Sequence, residues 1–165
     1  MIVIYAGTGK GKTCACVGQA VRALGAGLGV AFGQFMKRPD RAGEQRLLAT
    51  LLGQNFFTAG AGFFRSPSQR PVQREKAVAV LDWARQREAA MLVLDEVLLA
   101  LERGLLDREE VMPFVEGRRG QDRHLVMSGP HIPDWLLSSA DIVTEMLPLR
   151  HVHDLGFPPT CGIEF

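Results

Sequence analysis

Gly7-Thr8-Gly9-Lys10-Gly11-Lys12-Thr13 is the stretch with the clearest chemistry. Alternate glycines let backbone N–H groups turn inward and approach an anion closely. A helix opening behind them adds unpaired N–H groups and a positive dipole end. Lys12 is placed to reach phosphate oxygens, and the Thr13 hydroxyl to serve a magnesium ion. The spacing is compressed. Counting back from Gly11, the usual position of the first glycine is Ala6, and the nearest glycine, Gly7, comes one residue late.

A second carboxylate-bearing stretch completes a nucleotide site. Ala89-Ala-Met-Leu-Val-Leu-Asp95 is an apolar run ending in Asp95 and Glu96. A strand buried on both faces delivers such acids at its carboxyl end, beside the phosphate loop. Asp95 or Glu96 is then the candidate partner of magnesium or its waters. The competing reading of Asp95 is an N-cap for the helix that follows.

These residues need elements to hold them. Ile2–Tyr5 is apolar and β-branched and reads as a buried strand. Thr13–Ala26 reads as a helix apolar nearly all round, hence well buried. A second strand is expected over Leu28–Met36, ending at Lys37. A helix over Gly43–Leu52 turns Leu47, Leu48, Leu51 and Leu52 inward. A short strand over Asn55–Ala59 leads to a glycine-rich loop carrying Phe63 and Phe64. A helix over Pro71–Arg87 has Val78, Leu81, Trp83 and Ala84 on its inner side. After Asp95, helices are expected over Leu98–Arg103 and from Asp107 to about Glu116, then an exposed turn at Gly117–Gly120. A fifth strand over His124–Met127, a short helix over Pro133–Ser139 and a strand-like run over Asp141–Leu147 follow. Strands alternating with helices predict an α/β fold, a mainly parallel sheet with helices on both faces. No repeat or linker divides the chain, so residues 1–165 are expected to form a single domain.

Composition narrows the partners. A net charge of +1 gives no reason to expect nucleic acid. No apolar stretch is long enough for a membrane span, and the first strand lacks the basic flank and cleavage site of a signal peptide. Cys14, Cys16 and Cys161 form no disulfide framework, which predicts a cytoplasmic protein. Cys14 and Cys16 lie two apart, on different sides of a helix, and are expected to be small buried residues.

Taken together these stretches resemble the P-loop corrinoid adenosyltransferases. The resemblance is carried by Tyr5–Thr13, Gln34-Phe35-Met36-Lys37, Gly43-Glu44, Leu94-Asp95-Glu96-Val97, Gly104–Asp107, Ala140–Met146 and Gly162-Ile163-Glu164-Phe165. It implies a RecA-like P-loop fold. It also implies transfer of the 5′-deoxyadenosyl group of ATP to a reduced cobalt(I) corrinoid, with release of triphosphate, in adenosylcobalamin synthesis or salvage. Cobalt(I) is itself the nucleophile, which suits a chain without a Ser-His-Asp or Cys-His array. By resemblance, Gly7, Thr8, Gly9, Lys10, Gly11 and Lys12 cradle the polyphosphate, and Thr13 and Glu96, with Asp95, serve Mg2+ or Mn2+. Lys12, Thr13 and Glu96 are the expected catalytic set. Lys37 is expected near nucleotide or corrinoid, and Phe63 over the corrinoid. An electron-donating flavoprotein and a homodimer are further expectations.

The chain departs from the family pattern at four places. Arg65 stands where a tryptophan is usual, Leu98-Leu99 where a polar pair is usual, Ser128-Gly129-Pro130 in place of Thr-Gly-Arg, and Arg150-His151 in place of Lys-His. These motivate an alternative, a catalytically impaired paralogue that binds ATP or corrinoid as a carrier or regulatory module. An ordinary P-loop ATPase or kinase is disfavoured by the compressed loop and the lack of an acceptor-activating base. His151 and His153 could pair on one metal, but no third ligand of clear spacing accompanies them.

Overall fold

The computed structural model describes residues 1–62, 66–118, 122–151 and 156–164. In chain order the elements are β1 (Ile2–Ala6), α1 (Lys12–Gly25), β2 (Val30–Phe35), α2 (Gly43–Leu52) and β3 (Phe56–Ala59). They continue with α3 (Arg70–Arg85), β4 (Met91–Asp95), α4 (Val97–Glu102), α5 (Arg108–Glu116), β5 (His124–Gly129), α6 (Asp134–Leu137) and β6 (Ile142–Glu145). The strands form a six-stranded sheet in the order β3-β2-β4-β5-β1-β6. Every neighbouring pair is parallel. The α/β reading of the sequence therefore holds, and all strands point their carboxyl ends to one edge.

The sheet is covered on both faces, as a parallel sheet requires. On one face Cys16, Ala20 and Ala23 of α1 and Leu48 and Leu52 of α2 pack on Val3, Phe32, Val93 and Val126. On the other, α3, α4 and α5 contribute Val80, Leu81, Leu98, Val111 and Val115 against Ile2, Ile4, Leu92 and Leu94. Successive residues of β4 thus feed opposite cores, the alternation of a pleated strand.

Several expectations about faces need correction. Helix α1 is not buried all round: Val21 is 48% exposed, because only the Cys16–Ala20–Ala23 side meets the sheet. Leu48 and Leu52 point inward on α2, but Leu47 and Leu51 are exposed. Four leucines over six positions span more than the one stripe a surface helix buries. On α3 the inner line is Gln73, Ala77, Val80, Leu81 and Ala84, while Val78 and Trp83 are only partly buried. Arg118, expected in an exposed turn, is buried and donates through Nη1 to Ala89 O at 2.8 Å. Burial holds its pKa below the ordinary arginine value, with Arg123 adding to the effect. Cys14 and Cys16 face different sides, but only Cys16 is the buried residue expected of both; Cys14 is exposed.

Helix starts follow local chemistry. Asp107 precedes α5, and the Glu110 carboxylate accepts the Asp107 N–H at 2.9 Å, one half of a capping box. Glu110 also takes both Arg74 guanidinium nitrogens at 2.8 Å, tying α5 to α3. Among the described residues no helix is long and apolar enough to cross a membrane.

The two leucine environments on α2 make a paired test. Leu48→Ala should cost about 2–5 kcal/mol of unfolding free energy, as for a fully buried leucine. Leu47→Ala should change it by no more than about 0.5 kcal/mol in the same urea titration.

Candidate active site

Strand β1 ends at Ala6, and the chain turns at once under the end of β6. Met146 N–H donates to Ala6 O at 2.8 Å, and Gly9 N–H donates back to Met146 O at 2.8 Å. Gly7 N–H donates to Pro130 O at 2.9 Å. The approach leaves no room for side chains: a Cβ at Gly9 would lie 2.7 Å from Met146 O, and one at Gly7 2.3 Å from it. At Gly11 the requirement is conformational. Its φ of 115° is left-handed, and it immediately precedes α1.

Gly7 and Gly9 N–H are turned to protein carbonyls, and a run of open amides follows at the start of α1. Ala15 N–H is the first to bond back, to Gly11 O at 2.8 Å. The Lys12, Thr13 and Cys14 N–H groups therefore stay open at the positive end of a 14-residue helix. Lys12 Nζ donates to Gly7 O at 2.7 Å and Gly9 O at 2.8 Å, which pins its charge inside the loop. Lys10 reaches the other way and donates to Ile163 O.

Asp95 closes β4 with its side chain fully buried, one layer behind the loop. Its carboxylate accepts from Ser128 Oγ at 2.7 Å, Gln34 Nε2 at 3.1 Å and Thr13 Oγ1 at 3.1 Å. Lys37 Nζ lies 3.2 Å from Asp95 Oδ2, 3.2 Å from Glu44 Oε1 and 2.7 Å from Thr13 Oγ1. Since β5 lies between β4 and β1, Ser128 bridges the acid strand to the loop strand. The N-cap alternative for Asp95 does not describe this geometry. Glu96 is the residue before α4, in the left-handed region at φ 65°, and its N–H donates to Ser128 Oγ at 2.9 Å.

The electrostatics follow from this layering. Burial works to lower the Lys37 pKa, but Asp95 and then Glu44 outweigh it, so Lys37 stays above the ordinary lysine value. Burial raises the Glu96 pKa, and the neighbouring Asp95 charge raises it further. Burial, with Asp95 adding to it, pushes the Cys16 thiol well up, so this cysteine is inert.

These groups surround a pocket of about 630 Å³ lined on one side by Lys10, Lys12, Thr13, Lys37, Glu44 and Glu96. Cys14, Val17 and Gly18 of α1 and the Gly162–Glu164 tail complete it. Lys10, Gly11, Lys12, Thr13, Lys37 and Glu96 are thus gathered around one cavity, while Asp95 stands behind Thr13 and does not line it. Phe63 lies outside the described residues, as do Arg65 and His153. Among the described residues no cluster of three His, Cys, Asp or Glu side chains forms a metal site. Glu44, Gln34 and Ser128 carried no assigned role in the sequence. Gln34 and Ser128 have a legible signal: each is a polar residue within a buried, largely apolar run of its strand. Glu44 reads only as a favourable acid in a first helical turn.

A parallel sheet with a glycine loop after one strand and an acid at the end of another, one strand between them, defines a P-loop NTPase-like fold. The flagellar accessory protein FlaH from Methanocaldococcus jannaschii superposes on it with a TM-score of 0.56, at 13% identity, over 87% of this chain and 69% of that one. The particular family comes from sequence: residues 1–165 match the ATP:corrinoid adenosyltransferase BtuR/CobO/CobP family, and the chain belongs to it. A corrinoid adenosyltransferase of Sinorhizobium sp is 31% identical over 173 aligned positions, covering all of this chain and 80% of that protein. Corrinoid adenosyltransferase CobA of Salmonella typhimurium is 31% identical over 169 positions, covering all of this chain and 85% of its own.

Holding the Glu96 carboxylate in a buried, acid-rich position costs stability whenever it is ionised. Its folded pKa lies above the ordinary 4.5, so stability falls as pH rises from 4.5 through the folded value. Glu96→Gln should therefore be more stable than the parent at pH 7, and the difference should vanish below pH 4.5. Thermal melts across that range measure it.

Proposed function

We propose that this adenosyltransferase works through the pocket at the carboxyl edge of its sheet, with residues 1–165 acting as one nucleotide-binding domain. The carrying observation is the convergence of open α1 amides, Lys12, Thr13 and Glu96 on one cavity in a chain that matches the family end to end. ATP is the nucleotide and the corrinoid is the acceptor.

In this reading the α1 amides, Lys10 and Lys12 bind the triphosphate. The reduced corrinoid brings its own nucleophile, cobalt(I). A cobalt–carbon bond forms at ribose C5′ as the C5′–oxygen bond breaks, and the electron pair leaves with the triphosphate. The protein therefore needs no nucleophile or base. It holds C5′ open to attack, stabilises the departing charge and excludes water. Lys12 has most to contribute, because its ammonium already sits within the loop.

Magnesium fits the donor set. The Thr13 hydroxyl and the Glu96 carboxylate are hard oxygen ligands facing one pocket, and Mn2+ accepts the same kind. When bound, such an ion neutralises phosphate oxygens. Asp95 acts through Thr13 as a positioning residue: it accepts the hydroxyl's hydrogen bond, and with Lys37 donating to the same oxygen one lone pair is left for a ligand. Lys37 keeps the Asp95 charge compensated.

Phe63 keeps its proposed place against the corrinoid. In support, the start of its loop sits beside the Lys37 strand end: Gly62 N–H donates to Met36 O at 3.2 Å, and Arg38 Nε to Ala61 O at 2.7 Å. A flavoprotein as electron donor, a homodimer and a cytoplasmic location complete the proposal. The exposed edge strand β6, with Ile142 and Val143 uncovered, supports a second copy.

Incubated anaerobically with ATP, magnesium and a reduced corrinoid, the protein should yield a light-sensitive adenosyl-corrinoid and one inorganic triphosphate per product. ADP and phosphate in their place would contradict this. Both substrates bound without product would favour the carrier alternative. Lys12→Ala should weaken ATP binding by roughly 10- to 100-fold in a calorimetric titration, from the loss of charged hydrogen bonds worth about 1.5–3 kcal/mol.

A further inference from the structure

Gly18 has no structural reason to be glycine. It lies in the interior of α1, where glycine costs about 1 kcal/mol relative to alanine. Glycine is usually kept for a left-handed backbone or for close packing. Gly18 has neither: its φ is not positive, and a Cβ there would meet nothing within 4 Å. Gly33 on β2 is the contrast, since a Cβ there would lie 3.0 Å from Val80 and 3.1 Å from Trp83. What a side chain at position 18 would enter is the pocket, which Gly18 lines together with its neighbour Val17 and with Cys14; Val17 and Gly18 lie three and four residues after Cys14 on the helix.

The lining of that pocket is of two kinds. Lys10, Lys12 and the open α1 amides carry positive charge or N–H donors. Val17 on the helix and Ile163 on the tail are apolar, and Glu164 lines the pocket beside Ile163. The tail is pre-shaped: Ile163 and Glu164 N–H both donate to Thr160 O, at 3.1 and 2.9 Å, and Glu164 Oε2 accepts Thr160 N–H at 2.6 Å. Lys10 ties it to the loop through Ile163 O. Phosphate oxygens set beside Glu164 would meet like charge. A nucleoside brings apolar faces for Val17 and Ile163, and hydroxyl or amino donors for a carboxylate.

We propose that Gly18 is a specificity-determining residue: its missing side chain makes the slot between α1 and the Gly162–Glu164 tail that receives the nucleoside half of the nucleotide. This rests on the pocket being the ATP site. It predicts a residue whose replacement stabilises the fold and weakens the substrate.

The test compares ATP with inorganic tripolyphosphate, which has the phosphates and no nucleoside, each titrated with magnesium into the intact protein. Gly18→Leu should weaken ATP at least about tenfold and change tripolyphosphate less than about twofold. Gly18→Ala, which favours the helix, should raise the melting temperature by about 2–4 °C and still weaken ATP about threefold. Gly25→Ala, on the same helix but away from the pocket, should leave both ligands unchanged. Unchanged ATP affinity in Gly18→Ala, or parallel loss of ATP and tripolyphosphate, overturns the proposal. Failure of the parent protein to bind ATP would instead strike the nucleotide assignment itself.

Discussion

A buried negative charge organises this protein. Taking a carboxylate out of water costs several kcal/mol unless partners replace its hydration. Asp95 has them on all sides: a serine from β5, a glutamine and a lysine from the β2 end, and a threonine from the start of α1. The four partners come from three segments, so satisfying one charge fixes β5, the β2 end and the start of α1 relative to β4. Thr13 is oriented by what stands behind it. Lys37 is held charged by two acids, and Glu96, unlike its neighbour Asp95, faces the cavity.

The second constraint is crowding. The phosphate loop is compressed because the chain after β6 runs directly against it. Met146 exchanges hydrogen bonds with Ala6 and Gly9, and its carbonyl occupies the space in which side chains at Gly7 and Gly9 would stand. Two of the loop's amides are thereby spent on protein. The open amides lie in the first turn of α1, where the Lys12, Thr13 and Cys14 N–H groups lack intrahelical partners. Three segments far apart in sequence (the loop, the β6 end and the tail) thus form one wall.

The sheet and the order of its elements were legible because apolar runs and turn residues alternate cleanly along the chain. The pairing of the glycine loop with Asp95 and Glu96 was legible for the same reason: both lie at the carboxyl ends of buried strands. What sequence could not resolve was which acid is inside. Asp95 and Glu96 are adjacent carboxylates at a strand end, and only the partners brought by β2 and β5 separate a buried anchor from a pocket-facing ligand. Helix faces were misread wherever apolar residues ran round more than one side, as on α1 and α2. Part of the uncovered side of α1 has its explanation in the pocket, which Cys14 and Val17 line; Val21 does not line it. Gln34 and Ser128 were visible as polar residues inside apolar strands, but their common partner was not.

The account stands on the coupling between Asp95 and Lys37. A double-mutant cycle on unfolding free energy, with Asp95→Asn, Lys37→Met and the two combined, measures it directly. The predicted result is an interaction energy of at least about 1 kcal/mol, the double variant losing less than the sum of the single losses. Losses that add to within about 0.3 kcal/mol would contradict the claim that this pair holds the site together.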